Sequence, residues 1–352
     1  MFLYENPCWI EDIDKVIPGI LPEMEELAEK SILITGATGL IGSAAVDILF
    51  RYNDTHSKKI RILAAGRSVS RMIERFGKTA ERDDFVYVPF DAARPDNRID
   101  THADYIIHAA ANAFPKAIMS EPVETMMDSI MGMKTLLDYA KEQKTKRVLF
   151  ISSSEVYGRK DDGEAFREDQ YGYVDILNPR ASYAVAKRAA ETLGVSFAAE
   201  YGVSVVFARP GHIYGPTATK KDNRVSSEWA YSAARGEDIV MKSDGRQVRS
   251  YCHCLDCATG ILKIMIRGEG GKAYNISNPS SVISIRRLAE ILAANGGVQL
   301  HAEAPDTEEQ KGFNPMDNSA LDGERLMSLG WKGCFDAETG LNHTVKILKE
   351  LS

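Results

Sequence analysis

Of the 14 tyrosines in the chain, only Tyr183 has a lysine four residues later, Lys187. On a helix, positions i and i+4 share a face, so the two side chains meet. A free phenol has a pKa of ~10, and roughly one molecule in a thousand is phenolate at pH 7. A nearby ammonium, helped by a cofactor cation, stabilises the phenolate. Bringing it to neutrality takes about 4 kcal/mol of differential interaction. Such a tyrosine takes a proton from a hydroxyl while hydride leaves the same carbon. Ser152, Ser153 and Ser154 end an apolar run just before Glu155-Val156-Tyr157-Gly158. Ligands sit at the carboxyl ends of parallel strands, so a hydroxyl here can hydrogen-bond the reacting oxygen. The plainer alternative is a polar exit from strand to loop.

A second constellation is Gly36-Ala37-Thr38-Gly39-Leu40-Ile41-Gly42, directly after an apolar run. Glycines permit a tight turn and let backbone N–H groups approach a pyrophosphate, and the helix that follows adds its positive dipole end. Gly36, Thr38, Gly39, Leu40, Ile41 and Gly42 are therefore candidate cofactor contacts. A tight turn with no ligand is the alternative. The spacing is Gly-x-x-Gly-x-x-Gly rather than the commoner Gly-x-Gly-x-x-Gly. Residues 61–67 lack the acid that usually accepts from a ribose hydroxyl, and Arg67 and Arg71 stand there instead. An arginine pairs with a 2′-phosphate, so NADP is an option beside NAD. Asp91, after the third strand, is a candidate acceptor for the adenine amino group, or a turn aspartate.

These residues need a scaffold. Ile32–Ile34, Ile60–Ala65, Phe85–Val88, Tyr105–His108, Arg147–Ser152 and Val203–Ala208 read as strands. Leu40–Phe50, Val123–Lys141 and Ala181–Tyr201 read as helices between them. Uninterrupted apolar strands alternating with helices predict a parallel sheet covered on both faces, a doubly wound α/β (Rossmann) fold. After about Pro216 the rhythm changes to polar loops, shorter strands (Val248–Tyr251, Ala273–Ile276) and scattered helices. The expected organisation is an N-terminal helical extension over 1–30, a dinucleotide-binding domain over 31–216, and a mainly substrate-binding domain over 217–352. Some C-terminal segments are expected to return to the first domain. In the extension, Trp9, Ile10, Ile13 and Ile17 recur at near-helical spacing until Pro18-Gly19. This arm either packs on the domain or acts as a lid or partner site.

The 352 residues allow a sizeable core without staples, with 44% hydrophobic and 26% charged residues. That composition excludes a disordered or collagen-like chain. A net charge of −7 leaves no basic surplus for nucleic acid. Five cysteines, an odd number without framework spacing, point to reduced thiols. No stretch approaches the ~20 apolar residues of a membrane span, and the acidic start lacks a secretion signal. The expectation is a cytoplasmic protein bound to neither nucleic acid nor membrane. Cys252, His253, Cys254 and Cys257 are read as buried thiols and a neighbouring histidine, and no metal site is expected.

With glycine turn, serine loop and Tyr183/Lys187 in that order, the chain resembles the extended short-chain dehydrogenase/reductases. More narrowly, it resembles the NAD-dependent nucleotide-sugar epimerase/dehydratase family from about Ser31 onward. His108-Ala109-Ala110-Ala111, Arg209-Pro210, Tyr214-Gly215-Pro216 and Arg249 belong to the same likeness. The resemblance implies that Ala109, Ala110, Lys187 and Arg209 line a bound NAD, and that Asn112, Arg180, His212, Arg224 and Arg249 contact the nucleotide sugar. It implies transient oxidation at C4 of the sugar, with Ser153 on the sugar oxygen, Tyr183 as base and Lys187 in support. It also implies a homodimer paired through the long helix, in the supply of sugars for polysaccharide biosynthesis.

Sugar 4,6-dehydratases carry Asp-Glu where this chain has Ser154-Glu155. The pair here is similar to UDP-glucuronate decarboxylases, as are Asn178-Pro179-Arg180-Ala181-Ser182-Tyr183, Lys187-Arg188 with Glu191, and Asn223-Arg224-Val225-Ser226. There a C4 ketone makes the C5 carboxylate a β-keto acid that loses carbon dioxide, with Glu155 or Arg249 assisting protonation at C5. Ser129 and His212 depart from the family, which has asparagine at both positions. A 4-epimerase acting on a related UDP-sugar is the nearest alternative, then a 4,6-dehydratase. A net dehydrogenase of an apolar carbinol and a non-catalytic NAD(P) sensor are further rivals.

Overall fold

The computed structural model describes residues 1–94, 96–111, 113–160, 162–304 and 316–352. Seven strands form one all-parallel sheet: β1 (Ser31–Thr35), β2 (Arg61–Gly66), β3 (Phe85–Pro89), β4 (Tyr105–His108), β5 (Arg147–Ile151), β6 (Val205–Pro210) and β10 (Ala273–Ile276). Their order is β10-β6-β5-β4-β1-β2-β3, so the direction of winding reverses at β1. Thr35 lies opposite Ala65 of β2 on one side and His108 of β4 on the other. A crevice opens beyond the strand ends at such a reversal.

Both faces of the sheet are covered, which is why the strands are apolar throughout. Ile32 and Ile34 pack toward α3 (Leu40–Thr55) and α9 (Cys254–Arg267). Leu33 points the other way, into a core shared with Met133, Leu136 and Leu137 of α6 (Pro122–Gln143) and Ala190 and Phe197 of α7 (Ser182–Tyr201). The short helices α4 (Val69–Phe76) and α5 (Pro115–Ser120) complete these layers.

A second, four-stranded sheet has β9 (Val248–His253) between β11 (Val282–Ser284) and β13 (Asn318–Ser319), with β7 (His212–Tyr214) also paired to β9. The strands β8 (Ile239–Met241) and β12 (Leu300–Ala302) form a small parallel pair. Helices α8 (Val225–Arg235) and α10 (Ile285–Gly296) and the C-terminal helix (Ala337–Leu351) enclose Trp229, Leu288, Leu292 and Leu341. The chain crosses between the sheets in both directions. The strand β10 joins β6, while β7, before position 216, joins β9. At that crossing Gly211 passes so close to β9 that a side chain would sit 2.5 Å from the Ser250 carbonyl oxygen.

Residues 1–30 fold as α1 (Pro7–Val16) and α2 (Leu21–Leu27). Asn6 caps α1 by accepting from the Trp9 N–H, and Pro7 fits the first turn. Trp9 is fully buried, and its indole donates to Asp47 of α3, which also pairs with Arg75 of α4. Asp12 meets His343 of the C-terminal helix, and Glu23 meets Lys263 of α9. The arm is thus tied to three helices by a buried aromatic and, through Asp12 and Glu23, two ion-pair contacts. Trp9→Ala is expected to lower the unfolding free energy by about 3–5 kcal/mol. Arg75→Met, which leaves the Asp47 carboxylate buried without its cation, is expected to cost a similar amount. Arg94→Met, which breaks only a solvent-exposed pair with Asp96, should barely move the transition. Urea denaturation followed by circular dichroism checks the ranking, and three equally small effects would show that the arm adds nothing.

Candidate active site

The glycine turn crosses the sheet at its point of reversal. Gly36 has φ +67°, and a Cβ there would lie 2.8 Å from the Ala109 carbonyl and 2.9 Å from the Ala110 nitrogen. A Cβ on Gly42 would lie 2.3 Å from the Gly36 oxygen. Both positions therefore admit only glycine, and the turn lies flat against the end of β4. The N–H groups of Ala109 and Ala110 are already used, donating to Thr35. Gly39 begins α3 without a side-chain cap, so the first-turn N–H groups of Leu40, Ile41 and Gly42 face an acceptor from outside the helix. Thr38 lies within the turn, half-buried, and Thr217 donates to the Leu40 carbonyl at 2.8 Å. The uncapped helix start and the close backbone packing at Gly36 and Gly42 fit a dinucleotide pyrophosphate.

At the end of β5, Ser153 caps a 3-10 turn over Ser154–Tyr157, accepting from the Glu155 N–H at 3.1 Å. It is also close enough to the Tyr183 phenol to lower its pKa. Ser154 is half-buried within that turn. Lys187, one turn along α7, donates from Nζ to the Ile151 carbonyl at 2.8 Å and lies 4.5 Å from the centre of the Phe150 ring and 5.7 Å from that of Tyr183. The structure thus brings Ser153, Tyr183 and Lys187 together at the carboxyl edge of β5.

The electrostatics differ from the sequence expectation of a phenol lowered by Lys187. Burial, followed by the negative charge of Glu155, pushes Tyr183 up to about 12. Ser153, Arg224 and Arg180 pull it down less strongly. Burial pulls Lys187 down to about 7. Both groups have left water, and desolvation disfavours the charged form of each. Spacing predicts that the two side chains meet but not how little water reaches them.

Glu155 and Arg180 form a two-pronged ion pair, both bonds 2.9 Å. Asn178 sets the Arg180 backbone by accepting from its N–H. Two residues expected to face the substrate thus hold each other. Arg224 pairs with Asp222, two residues earlier, and lies 5.8 Å from the Phe114 ring centre. It is close enough to lower the pKa of both Tyr183 and His212. Burial and the charges of Arg249 and Arg224 push His212 down to about 3, so it is neutral at pH 7. Its Nδ1 is buried without a partner, and its ring lies 5.6 Å from that of Tyr251. Arg249 is buried and donates to the carbonyls of Val248 and Asp317. Asn112 lies outside the described residues.

The Arg209 expectation needs correction. Its guanidinium is fully buried and all its donors are engaged, by Glu191, the Tyr157 and Tyr171 hydroxyls and the Glu168 carbonyl. No N–H remains for a cofactor, so it ties α7 to the loop after β5. Asp91 accepts from the Ala93 N–H in its own loop, at the end of β3. Arg67 is exposed at the end of β2. Asp222, which orients Arg224, was not among the expected site residues, and the buried hydroxyls of Ser152 and Ser182 lack partners. The Asp-x-Arg spacing was a usable signal for Asp222. Among the described residues, no cluster of His, Cys, Asp and Glu could hold a metal, and no helix is long and apolar enough to cross a membrane.

A glycine cradle at the reversal of a doubly wound sheet, beside a Ser-Tyr-Lys group, defines a Rossmann-type fold. The model of the NAD dependent epimerase/dehydratase family matches residues 32–277, and the chain belongs to that family. It is 29% identical over 350 residues to UDP-glucuronic acid decarboxylase 1 of Xenopus tropicalis, covering 97% of this chain and 78% of that protein. The fold superposes on the UDP-glucose 4-epimerase of Thermotoga maritima with a TM-score of 0.77 at 22% identity, covering 91% of this chain and 99% of the other. It superposes on the UDP-glucuronic acid 4-epimerase of Bacillus cereus, solved with UDP-glucuronic acid and NAD, at 0.74 and 20% identity, covering 92% and 100%.

Two predictions follow from the burial of the pair. The folded-state pKa of Lys187 lies below its unfolded value, so the penalty for burying its charge is full below about pH 7 and fades as pH rises toward 10. Lys187→Met should therefore gain stability relative to wild type at low pH and lose that gain by about 1.4 kcal/mol per pH unit above 7. Urea titrations from pH 6.5 to 9.5 test the slope, and parallel curves would contradict it. Glu155→Gln should lower the Tyr183 pKa and Arg180→Met should raise it. NMR of ring-labelled tyrosine, assigned with Tyr183→Phe, reads both shifts, and an unmoved titration would show that the ion pair does not act on the phenol.

Proposed function

We propose that the chain modifies a nucleotide sugar through transient oxidation at C4, and that its reaction is decarboxylation of UDP-glucuronate. The carrying observation is the Ser153–Tyr183–Lys187 group at the edge of β5, with Ser154 rather than an acid preceding Glu155. The likeness to UDP-glucuronic acid decarboxylase 1 supports the same substrate.

The cradle would hold the pyrophosphate of NAD or NADP on the first-turn N–H groups of α3. When bound, the nicotinamide supplies an acceptor for hydride from C4 and later a donor that returns it. Tyr183 takes the C4 hydroxyl proton and Ser153 hydrogen-bonds the same oxygen. Lys187, protonated below about pH 7 and assisted by the cofactor's positive charge, favours the phenolate. Once C4 is a ketone, the C5–C6 bond breaks, carbon dioxide leaves, and its electron pair passes into a C4–C5 enolate. A proton delivered at C5 from the side of Glu155 or Arg249 completes the exchange. Arg180, His212, Arg224 and Arg249 surround the sugar and its diphosphate in this reading. A second copy docks on the α6–α7 face, where Met127, Val195 and Tyr201 are exposed. The five free cysteines suit a reducing cytoplasm.

A 4-epimerase is the second reading, favoured by the engagement of Glu155 with Arg180. It needs only the C4 steps. Incubation of the pure protein with UDP-glucuronate, in the presence of NAD or NADP, should yield carbon dioxide and a UDP-pentose. Conversion to UDP-galacturonate without gas would select the epimerase. No change in UDP-glucuronate, UDP-glucose or UDP-N-acetylglucosamine would refute the substrate assignment. Tyr183→Phe is expected to lose at least a hundredfold in kcat.

A further inference from the structure

The ends of β1 and β2 are joined directly. Thr35 lies opposite Ala65, and the Gly36 N–H donates to the Ala65 carbonyl at 3.1 Å. A dinucleotide with its pyrophosphate on the glycine turn must lay its adenosine ribose across the residues that follow Gly66. A carboxylate at that point accepts from the 2′- and 3′-hydroxyls and repels a 2′-phosphate. Between positions 61 and 73 there is no Asp or Glu. The residues that leave the strand are Arg67, Ser68, Ser70 and Arg71.

Their geometry is ordered. The Ser68 side chain begins α4 by accepting from the Arg71 N–H, and the Ser68 and Ser70 hydroxyls are 2.6 Å apart. Arg67 and Arg71 are exposed, whereas Arg75, one turn further on, is spent on the buried Asp47. The carboxylates near Arg67 come from other elements. Asp128 of α6 is close enough for Arg67 to lower its pKa, while burial, Asp91, Glu124 and Glu121 raise it. None of these acids stands on the strand end that meets the ribose.

We infer that Arg67 and Arg71, with the hydroxyls of Ser68 and Ser70, form a subsite for a 2′-phosphate, and that the chain takes NADP in preference to NAD. The inference rests on the dinucleotide reading proposed above. Guanidinium forks match phosphate oxygens geometrically, and hydroxyls donate to the oxygens that remain.

The test is calorimetric titration of the full-length protein, freed of bound nucleotide, with NADP+ and NAD+. NADP+ should bind at least tenfold more tightly. Arg67→Ala combined with Arg71→Ala should remove that advantage and leave NAD+ affinity within about twofold, and Arg67→Asp should invert the preference. Equal affinities in the wild type, tighter NAD+, or an equal loss for both nucleotides in the alanine variant would overturn the subsite. If neither nucleotide binds while circular dichroism shows a folded protein, the dinucleotide reading itself fails, and the subsite with it.

Discussion

The site depends on an ammonium taken out of water. Lys187 is held by the Ile151 carbonyl and the Phe150 ring, at the end of a strand buried on both faces. An exposed lysine would be charged at any physiological pH and would act on Tyr183 only through solvent. Burial brings the ammonium close to losing its proton and raises the phenol at the same time. Around the phenol, the positive charges of Arg224 and Arg180 favour the phenolate and the negative charge of Glu155 opposes it. The groups that fold around the pair therefore set its chemistry as much as the pair itself.

Those groups divide by what holds them. Arg209 is spent on Glu191, Arg180 on Glu155 and Arg224 on Asp222. These pairs neutralise charge that burial would otherwise make costly, and they bind loops to helices. Arg249 is held by backbone carbonyls instead. Carbonyls orient a guanidinium without cancelling its charge. The distinction separates cations that build the crevice from a cation that retains charge for a ligand.

Much of the fold is legible from local pattern. Strands buried on both faces must be continuous apolar runs, and Tyr105–His108 and Ala273–Ile276 have those bounds in the sequence and in the structure. Helix starts are legible where glycine or a capping residue marks them, as at Gly39 and Ser68. The meeting of Tyr183 with Lys187 is legible for the same reason, since one turn of helix sets it. What local pattern omits is long-range. Glu155 and Arg180 are 25 positions apart, and the partners of Arg209 lie 18 to 52 positions away. An arginine at a strand end therefore reads as a ligand contact when it is a buried brace. The burial that raises the phenol is likewise invisible in a one-turn spacing.

In the reading proposed above, Arg180 and Arg249 are alternative partners for a uronate carboxylate, and the choice between them bears on the reaction. Pairing with Arg180 would displace Glu155 and leave its charge uncompensated beside Tyr183. Glu155 already raises that phenol, and freeing it from its partner would raise it further. Pairing with Arg249 breaks no ion pair and gains a charge-assisted bond in a desolvated place. It also leaves the Glu155–Arg180 pair intact, so the phenol keeps the lower of its two values. Loss of carbon dioxide from a β-keto acid needs no acid at C6, so Ser154 in that position is no obstacle. Expulsion of a C6 hydroxyl would need one, and neither Ser154 nor the engaged Glu155 supplies it. The arrangement of charges thus favours a substrate that is already an anion at C6 over one that must lose a hydroxyl there.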